Sequence, residues 1–281
     1  MQQPVKWRET IDPFSLNIKN YYIKEVLGYP HAGNDVFYVN GIYKDGQDMK
    51  GFLKVERQKT ADIEREVSIM QKLNLSFIPR VLDFSFETPK YILTQEIEGV
   101  RLSNIVGNNE HLDSINYMST YGELLAKIHN VKIKCDPVIK RDFKLEHEFY
   151  VKNNLVYIEE FLLKAKRNDS YSFIHGDCHY ANILWKNKQV SGLLDFELSG
   201  YGSREYDLAW AMVVRPGQKF LKTRAEREVF LDTYSNYHSF CRETLNYYLV
   251  LFYIFFYKIE FKSKDDGYKN LYLEMINDII L

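Results

Sequence analysis

Cysteine is scarce in this chain, with three residues in 281, at positions 135, 178 and 241. They are odd in number, widely spaced and include no C-x-x-C pair. A disulfide framework and a zinc site are therefore not expected, and a reducing compartment fits best. An excess of one charge is also lacking, since 37 Lys and Arg face 38 Asp and Glu for a net charge of −1. No Lys/Arg run reaches the length of a nucleic-acid or anionic-membrane patch. Long apolar runs are missing too. The most apolar stretch, YYLVLFYIFFY at Tyr247–Tyr257, spans eleven residues, whereas a membrane span needs about 20. It is expected to be a buried helix. The opening MQQPVKWRETIDPF has no apolar core of the kind a secretory leader carries. A cytoplasmic protein without membrane or nucleic-acid partners, monomeric or dimeric, is the expectation.

What is present is an ordinary globular balance, 46% apolar and 27% charged, with a high aromatic share of 15% that includes 22 Tyr and 18 Phe. The first ninety or so residues read as strands with one helix. Tyr21–Gly28, Asp35–Tyr43 and Gly51–Glu56 are rich in β-branched and aromatic residues, with turn signals at Gly33-Asn34 and Lys44-Asp45-Gly46. Over Thr60–Leu73 the period changes. Ile63, Val67, Met70 and Leu73 stand three or four apart, the spacing of one helical face. Strands are expected again at Arg80–Phe86 and Tyr91–Ile97. Beyond Gly99 helices take over, at Ile115–His129, at Leu155–Lys166 and through most of the chain after Glu205. The boundary falls near Glu96–Gly99, giving an N-terminal lobe over 1–96 and a C-terminal lobe over 97–281.

The chemistry concentrates in FIHGDCHYANILW, Phe173–Trp185, followed by GLLDFE, Gly192–Glu197. Asp177, Asn182 and Asp195 come in the order that phosphoryl transfer from a nucleotide needs. One carboxylate meets the substrate hydroxyl; an amide and a second carboxylate hold magnesium, which prefers oxygen ligands. Asn182 follows Asp177 by five residues, so a short loop brings its amide back toward the acid. Lys54, in FLKVE on an expected strand, is placed to meet phosphates. Glu66, on the helix that follows, is its expected partner, with Glu64 the competitor on the same helix. The stretch GYPHAGND carries Gly28 and Gly33 but no GxGxxG, so it speaks weakly for phosphate binding. His175 is expected to pack beneath the loop and His179 to lie within it. Asp207 in YDLAW is expected to cap a helix or anchor a loop.

HGDCHYANILW with LLDFELSGYGSREYDLAW resembles the aminoglycoside phosphotransferase family, bacterial small-molecule kinases with a protein-kinase-like fold. The resemblance extends to FLKVE, IEREVSIMQKL, IPRVLDF and ILTQEIEGVRL, roughly residues 20 to 212. It implies an α+β, bilobal protein-kinase-like fold, with a small antiparallel sheet and one helix in the first lobe and a larger, mainly helical second lobe. It also implies Asp177 as catalytic base, Asn182 and Asp195 as magnesium ligands, and Lys54 on the phosphates of ATP or GTP, paired with Glu66. ILTQEI becomes a hinge near residues 95–99, with Gln95 offering a carbonyl and Ile97 an N–H to the base. Phe52 matches an aromatic position that stacks on the base in the aminoglycoside 3′-phosphotransferases, and Thr94 takes the gatekeeper position. Only about a dozen residues separate Asp195 from Asp207, too few for the activation segment of a protein kinase.

The resemblance does not separate aminoglycoside kinases from choline, homoserine, fructosamine, methylthioribose or macrolide kinases, nor from an idle member of the family. An aminoglycoside is polycationic and requires carboxylates. Glu197, Glu205 and Glu260 are the first candidates, with Asp265, Asp266, Glu274 and Asp278 behind them. The aromatic stretch Tyr247–Phe261 offers the alternative of a cage for a quaternary ammonium such as choline.

Overall fold

A computed structural model describes residues 11–30, 34–57, 61–106, 110–139, 141–216, 218, 220–260 and 266–281. The chain divides into two compact units, Met1–Gly99 with Ser191–Leu198, and Val100–Val190 with Ser199–Leu281. The first unit thus takes back a short later segment, the one that carries LLDFEL.

The first unit holds five strands, β1 (Tyr21–Gly28), β2 (Asp35–Tyr43), β3 (Asp48–Val55), β4 (Val81–Ser85) and β5 (Tyr91–Gln95), in the order β1-β2-β3-β5-β4. Every neighbouring pair is antiparallel. Side chains of a strand alternate between faces, and here the alternation separates core from chemistry. Phe37 pairs with Leu53, and Leu53 with Leu93; all three are completely buried, within a core that also takes Tyr21, Val39 and Val55. On the opposite face Tyr38 pairs with Phe52 and Phe52 with Thr94, while Lys54 pairs with Ile92. Helix α1 (Ile63–Met70) follows β3. It is shorter than its periodicity suggests. Asp62 starts it by accepting the Arg65 N–H at 3.0 Å, and the Thr60 end of the expected range lies outside the described residues. Strand β3 begins earlier than expected, and β5 stops at Gln95 rather than Ile97.

The second unit contains α2 (Leu102–Ile105), α3 (Glu110–His129), α4 (His147–Lys152), α5 (Val156–Lys164), β6 (Tyr171–Ile174) and β7 (Ile183–Lys186). Strand β8 (Gln189–Leu193) starts here and runs on into the first unit. Then come β9 (Gly200–Ser203), α6 (Arg204–Met212), α7 (Arg224–Ser235), α8 (Arg242–Glu260) and α9 (Asp266–Ile280). Strand β6 pairs antiparallel with β9. Helix α3 meets α7 so closely that a Cβ on Gly122 would fall 2.4 Å from the Phe230 carbonyl oxygen. A residue without a side chain is what permits that approach. Helix α7 opens with a capping box, Thr223 and Glu226 each bonding the other's backbone N–H.

The run Tyr247–Tyr257 forms the middle of α8. Phe252 lies 4.8 to 5.1 Å from the rings of Phe143, Tyr206 and Trp210, so this aromatic stretch builds core. Among the described residues no helix is long and apolar enough to cross a membrane.

Candidate functional site

In the first unit, one cation sits among three anions. Lys54 Nζ lies 2.9 Å from Glu66 Oε2, 3.1 Å from Asp195 Oδ1 and 2.9 Å from Glu197 Oε2. Strand β3 aims the lysine away from the core. The period of α1 brings Glu66 inward with Ile63, Val67 and Met70, all buried. Glu64, two residues earlier, points elsewhere and pairs with Lys90 at 2.8 Å. Asp195 adopts φ +68°, a left-handed conformation that a non-glycine residue takes only when its surroundings compel it. The next N–H, from Phe196, donates to Glu66 Oε1 at 3.3 Å. Burial pushes the Lys54 pKa down, but the charges of Glu66, Asp195 and Glu197 outweigh it and hold the ammonium well above its ordinary value. Glu66 is also raised. Burial is the main cause, and Lys54 opposes it only in part because Asp195 and Glu197 compete for the same ammonium.

On the same sheet face Phe52 stacks on Tyr38, with ring centroids 4.9 Å apart. The Tyr38 hydroxyl donates to Glu96 at 2.7 Å, and Thr94 Oγ1 donates to the Phe52 carbonyl at 3.4 Å. Gln95 is the last residue of β5, opposite Gly51. The Glu96 N–H is used on the Lys50 carbonyl, and Ile97 lies past the strand. Gly28 ends β1 opposite Tyr38; Gly33 lies outside the described residues.

In the second unit, one anion is held by donors. His175, completely buried, follows β6. Gly176 takes φ +79°, which a glycine adopts without strain. The N–H groups of His175 and Gly176 donate to the two oxygens of Asp207 at 3.0 and 2.9 Å. His129 Nε2 lies 3.2 Å from the same carboxylate, and its Nδ1 lies 2.7 Å from the Tyr234 hydroxyl. Asp207 is thus a loop anchor in the fourth position of α6. The cap of that helix is Ser203, which corrects the capping half of the expectation. His175 Nδ1 accepts the Asp177 N–H at 3.2 Å, and the Asn182 amide donates to the Asp177 carbonyl at 3.0 Å.

The Asp177 carboxylate is fixed from two sides. Oδ1 accepts the Trp210 indole N–H at 2.7 Å, and Oδ2 lies 2.8 Å from the Arg141 guanidinium. His179 Nε2 stands 3.6 Å from Oδ1. Arg141 and Arg215 both lie over the Trp210 ring, at 4.7 and 4.5 Å. Burial pushes the Arg215 pKa down to about 10, still high enough to stay charged near neutrality. Trp210 and Arg141 did not emerge from sequence reasoning. Trp210 carries a signal, since it stands three residues after Asp207 in YDLAW and shares its helical face. Arg141 lies in a stretch without regular structure and carries none. Cys178 is completely buried, and burial pushes its thiol pKa well up, so the sulfur is not a ready metal ligand or nucleophile.

The acidic residues expected to meet a cationic substrate scatter. Glu197 belongs to the Lys54 cluster. Glu205 is a correction: it is completely buried and accepts hydrogen bonds from Ser170 N, Cys241 N and Ser203 Oγ at 2.8 to 3.2 Å. It ties loops together and has no surface to offer a ligand. Glu260 ends α8, half-buried, where its charge adds to burial in raising the Tyr272 phenol. Glu274 and Asp278 are exposed on α9. Asp265 and the side chain of Asp266 lie outside the described residues.

In the first unit, carboxylate oxygens of Glu66, Asp195 and Glu197 lie within 4.8 Å of one another, the donor type a hard divalent cation takes.

Residues 30–244 match a family model described as a phosphotransferase enzyme family. An aminoglycoside 3′-phosphotransferase of Enterococcus faecalis is 26% identical over 213 residues, 68% of this chain and 78% of that protein. One of Staphylococcus aureus is 24% identical over 235 residues, covering 75% and 87%. Among solved structures, a spectinomycin phosphotransferase bound to ADP and spectinomycin superposes with a TM-score of 0.57 at 16% identity, covering 94% of this chain and 92% of the other. A choline kinase of Streptococcus pneumoniae gives 0.58 at 16% identity, covering 93% and 94%. At such identities these structures establish the fold, α+β and protein-kinase-like.

Proposed function

Because this chain belongs to the phosphotransferase enzyme family, we propose that it transfers the γ-phosphate of ATP or GTP to a hydroxyl of a small molecule, with magnesium, in the cytoplasm. The observation that carries this reading is the Asp177 carboxylate, held by Trp210 and Arg141 on a loop that Asp207 pins by its backbone. A carboxylate so held is pre-organised to receive a proton. The acceptor oxygen forms its bond to the γ-phosphorus, and the bond from that phosphorus to the β,γ-bridging oxygen breaks. Its electron pair leaves with the nucleoside diphosphate, and the hydroxyl proton passes to Asp177. Lys54 is the cation that meets the phosphates, with Glu66 restraining it. Phe52, Thr94, Gln95 and Ile97 are the residues for the base. Asn182 and Asp195 would hold magnesium, which when bound supplies charge neutralisation at the phosphates.

For the acceptor, the names of the curated relatives support an aminoglycoside. Choline is the second reading, supported by the choline kinase among the structural neighbours. Asp177→Asn tests the reaction. Turnover should fall by ~10²–10⁴ while magnesium–nucleotide binding, measured by calorimetry, persists. Turnover at the unmodified rate in that variant would remove Asp177 from the proton-accepting role.

A further inference from the structure

A cavity of about 350 Å³ opens in the second unit beside Arg141, the same residue that holds Asp177. Among the described residues its charged lining is Arg141, Lys144 and Arg167 against one acid, Glu159. That acid is already engaged, 2.6 Å from His147 Nδ1. Tyr247 and Tyr248 form an aromatic wall, and Leu162 and Leu251 add apolar surface. The aromatic faces are occupied: the Arg167 guanidinium lies 5.1 Å from the Tyr247 ring centroid and 5.9 Å from that of Tyr248. Arg167 also donates to the Tyr248 hydroxyl at 3.2 Å, and that hydroxyl donates to Asp169 at 2.8 Å. A quaternary ammonium would find its cation–π faces taken by a resident cation. A polycation would meet three like charges.

Resting on the phosphotransfer reading, and departing from the aminoglycoside and choline readings of the acceptor drawn from the relatives' names, we infer that this cavity receives the acceptor and that the acceptor carries a carboxylate on a small aromatic or apolar body in addition to its hydroxyl. The reasons are chemical. Guanidinium groups present parallel N–H donors that match a carboxylate in bidentate geometry. Arg167 is held in place by its two tyrosines, so little freedom is lost when an anion docks. The tyrosine and leucine walls suit a flat or apolar body better than a hydroxyl-dense ring system. Arg141 both lines the cavity and holds the Asp177 carboxylate at 2.8 Å, so one side chain joins the cavity to the proposed base.

The test uses three probes of one shape that differ only in charge: 4-(hydroxymethyl)benzoate, its neutral amide, and 4-(hydroxymethyl)benzylamine. Binding to the full chain is followed by intrinsic tryptophan fluorescence, with and without magnesium–ATP. The carboxylate should bind at least about tenfold more tightly than the amine, with the amide between. Arg167→Gln and Lys144→Gln, both exposed positions, should each narrow that preference. Preference for the amine, equal binding of the three, or no binding at millimolar concentration would each overturn the inference. Magnesium–ATP binding, and its loss in Lys54→Met, is read separately in the same samples. A failed phosphotransfer reading therefore shows as absent nucleotide binding, independent of how the probes rank.

Discussion

The two units carry charge in mirror image. In the first, a single ammonium, Lys54, is outnumbered by three carboxylates. In the second, a single carboxylate, Asp177, is surrounded by donors, with two guanidinium groups on the ring of its indole partner. The difference lies in what fixes each group. Lys54 is held by charge, its ammonium shared among three carboxylates. Asp177 is held by backbone. The Asp207 carboxylate takes two consecutive N–H groups of its loop, and the carboxylate of Asp177 is met by the buried Trp210 indole N–H and the partly exposed Arg141 guanidinium. A cluster balanced by charge should respond to pH and to cations. A loop pinned by backbone should respond to geometry.

Lys54→Met should break that comparison most severely. Turnover should fall by about 10²–10³, the loss typical of removing one preorganised charge stabiliser. The pH response carries the sharper information. Glu66 has a folded pKa raised above its unfolded value of about 4.3. The folded state therefore keeps that proton longer, and stability is greatest below the unfolded value and declines as pH rises through the raised one. Removing the opposing ammonium widens this gap. The Tm deficit of the variant relative to the parent should grow from pH 5 to pH 8, and magnesium should reduce it. A deficit that is constant with pH would mean that the three carboxylates do not share one cation.

Trp210→Phe comes next and probes the geometric side. The substitution retains an aromatic ring beneath Arg141 and Arg215 but deletes the N–H that reaches Asp177 together with part of the bicyclic indole. Hydrogen bonds to charged groups contribute about 1.5–3 kcal/mol, so kcat should fall about tenfold or more. KM for the nucleotide should not move, because Trp210 belongs to the unit that holds Asp177 and not to the one that holds Lys54. A change confined to KM would show that the indole bond does not position the carboxylate.

The features legible in the sequence were those whose chemistry dictates residue identity. Asp177, Asn182 and Asp195 stand out because their order and spacing match the proposed phosphoryl transfer, and Glu66 stands out from Glu64 through the helical period. The five strands of the first unit announce themselves by two-residue alternation and turn residues. Elements of four to six residues, such as α2 and α4, complete too few turns to show a period, and β9 hides behind two glycines. The acidic residues mark the clearest limit. Glu197 and Glu205 stand eight positions apart and look equivalent in the chain. One ends on Lys54 and the other vanishes into the core, because backbone donors from two distant segments, at Ser170 and Cys241, converge on it beside the neighbouring Ser203 hydroxyl. No local pattern encodes that convergence. Arg141 was silent for the same reason, since its importance comes from what tertiary packing brings to it.

The smallest effect should come from Glu64, and its smallness is the point. Glu64 and Glu66 lie on one helix, two residues apart, and either could be imagined to reach Lys54 from the sequence. In the fold Glu64 is half-exposed and pairs with Lys90 at the surface. Glu64→Gln should leave Tm and turnover unchanged within error, because solvent already screens that pair. Glu66→Gln preserves shape and removes the charge that draws Lys54 toward α1. It should lower turnover while leaving Tm nearly untouched or slightly raised, because a buried carboxylate whose proton affinity is already elevated costs the fold little to neutralise. Equal losses of turnover from the two variants would show that the helix offers both acids to the lysine, and the balance of one cation against three anions would have to be redrawn with four.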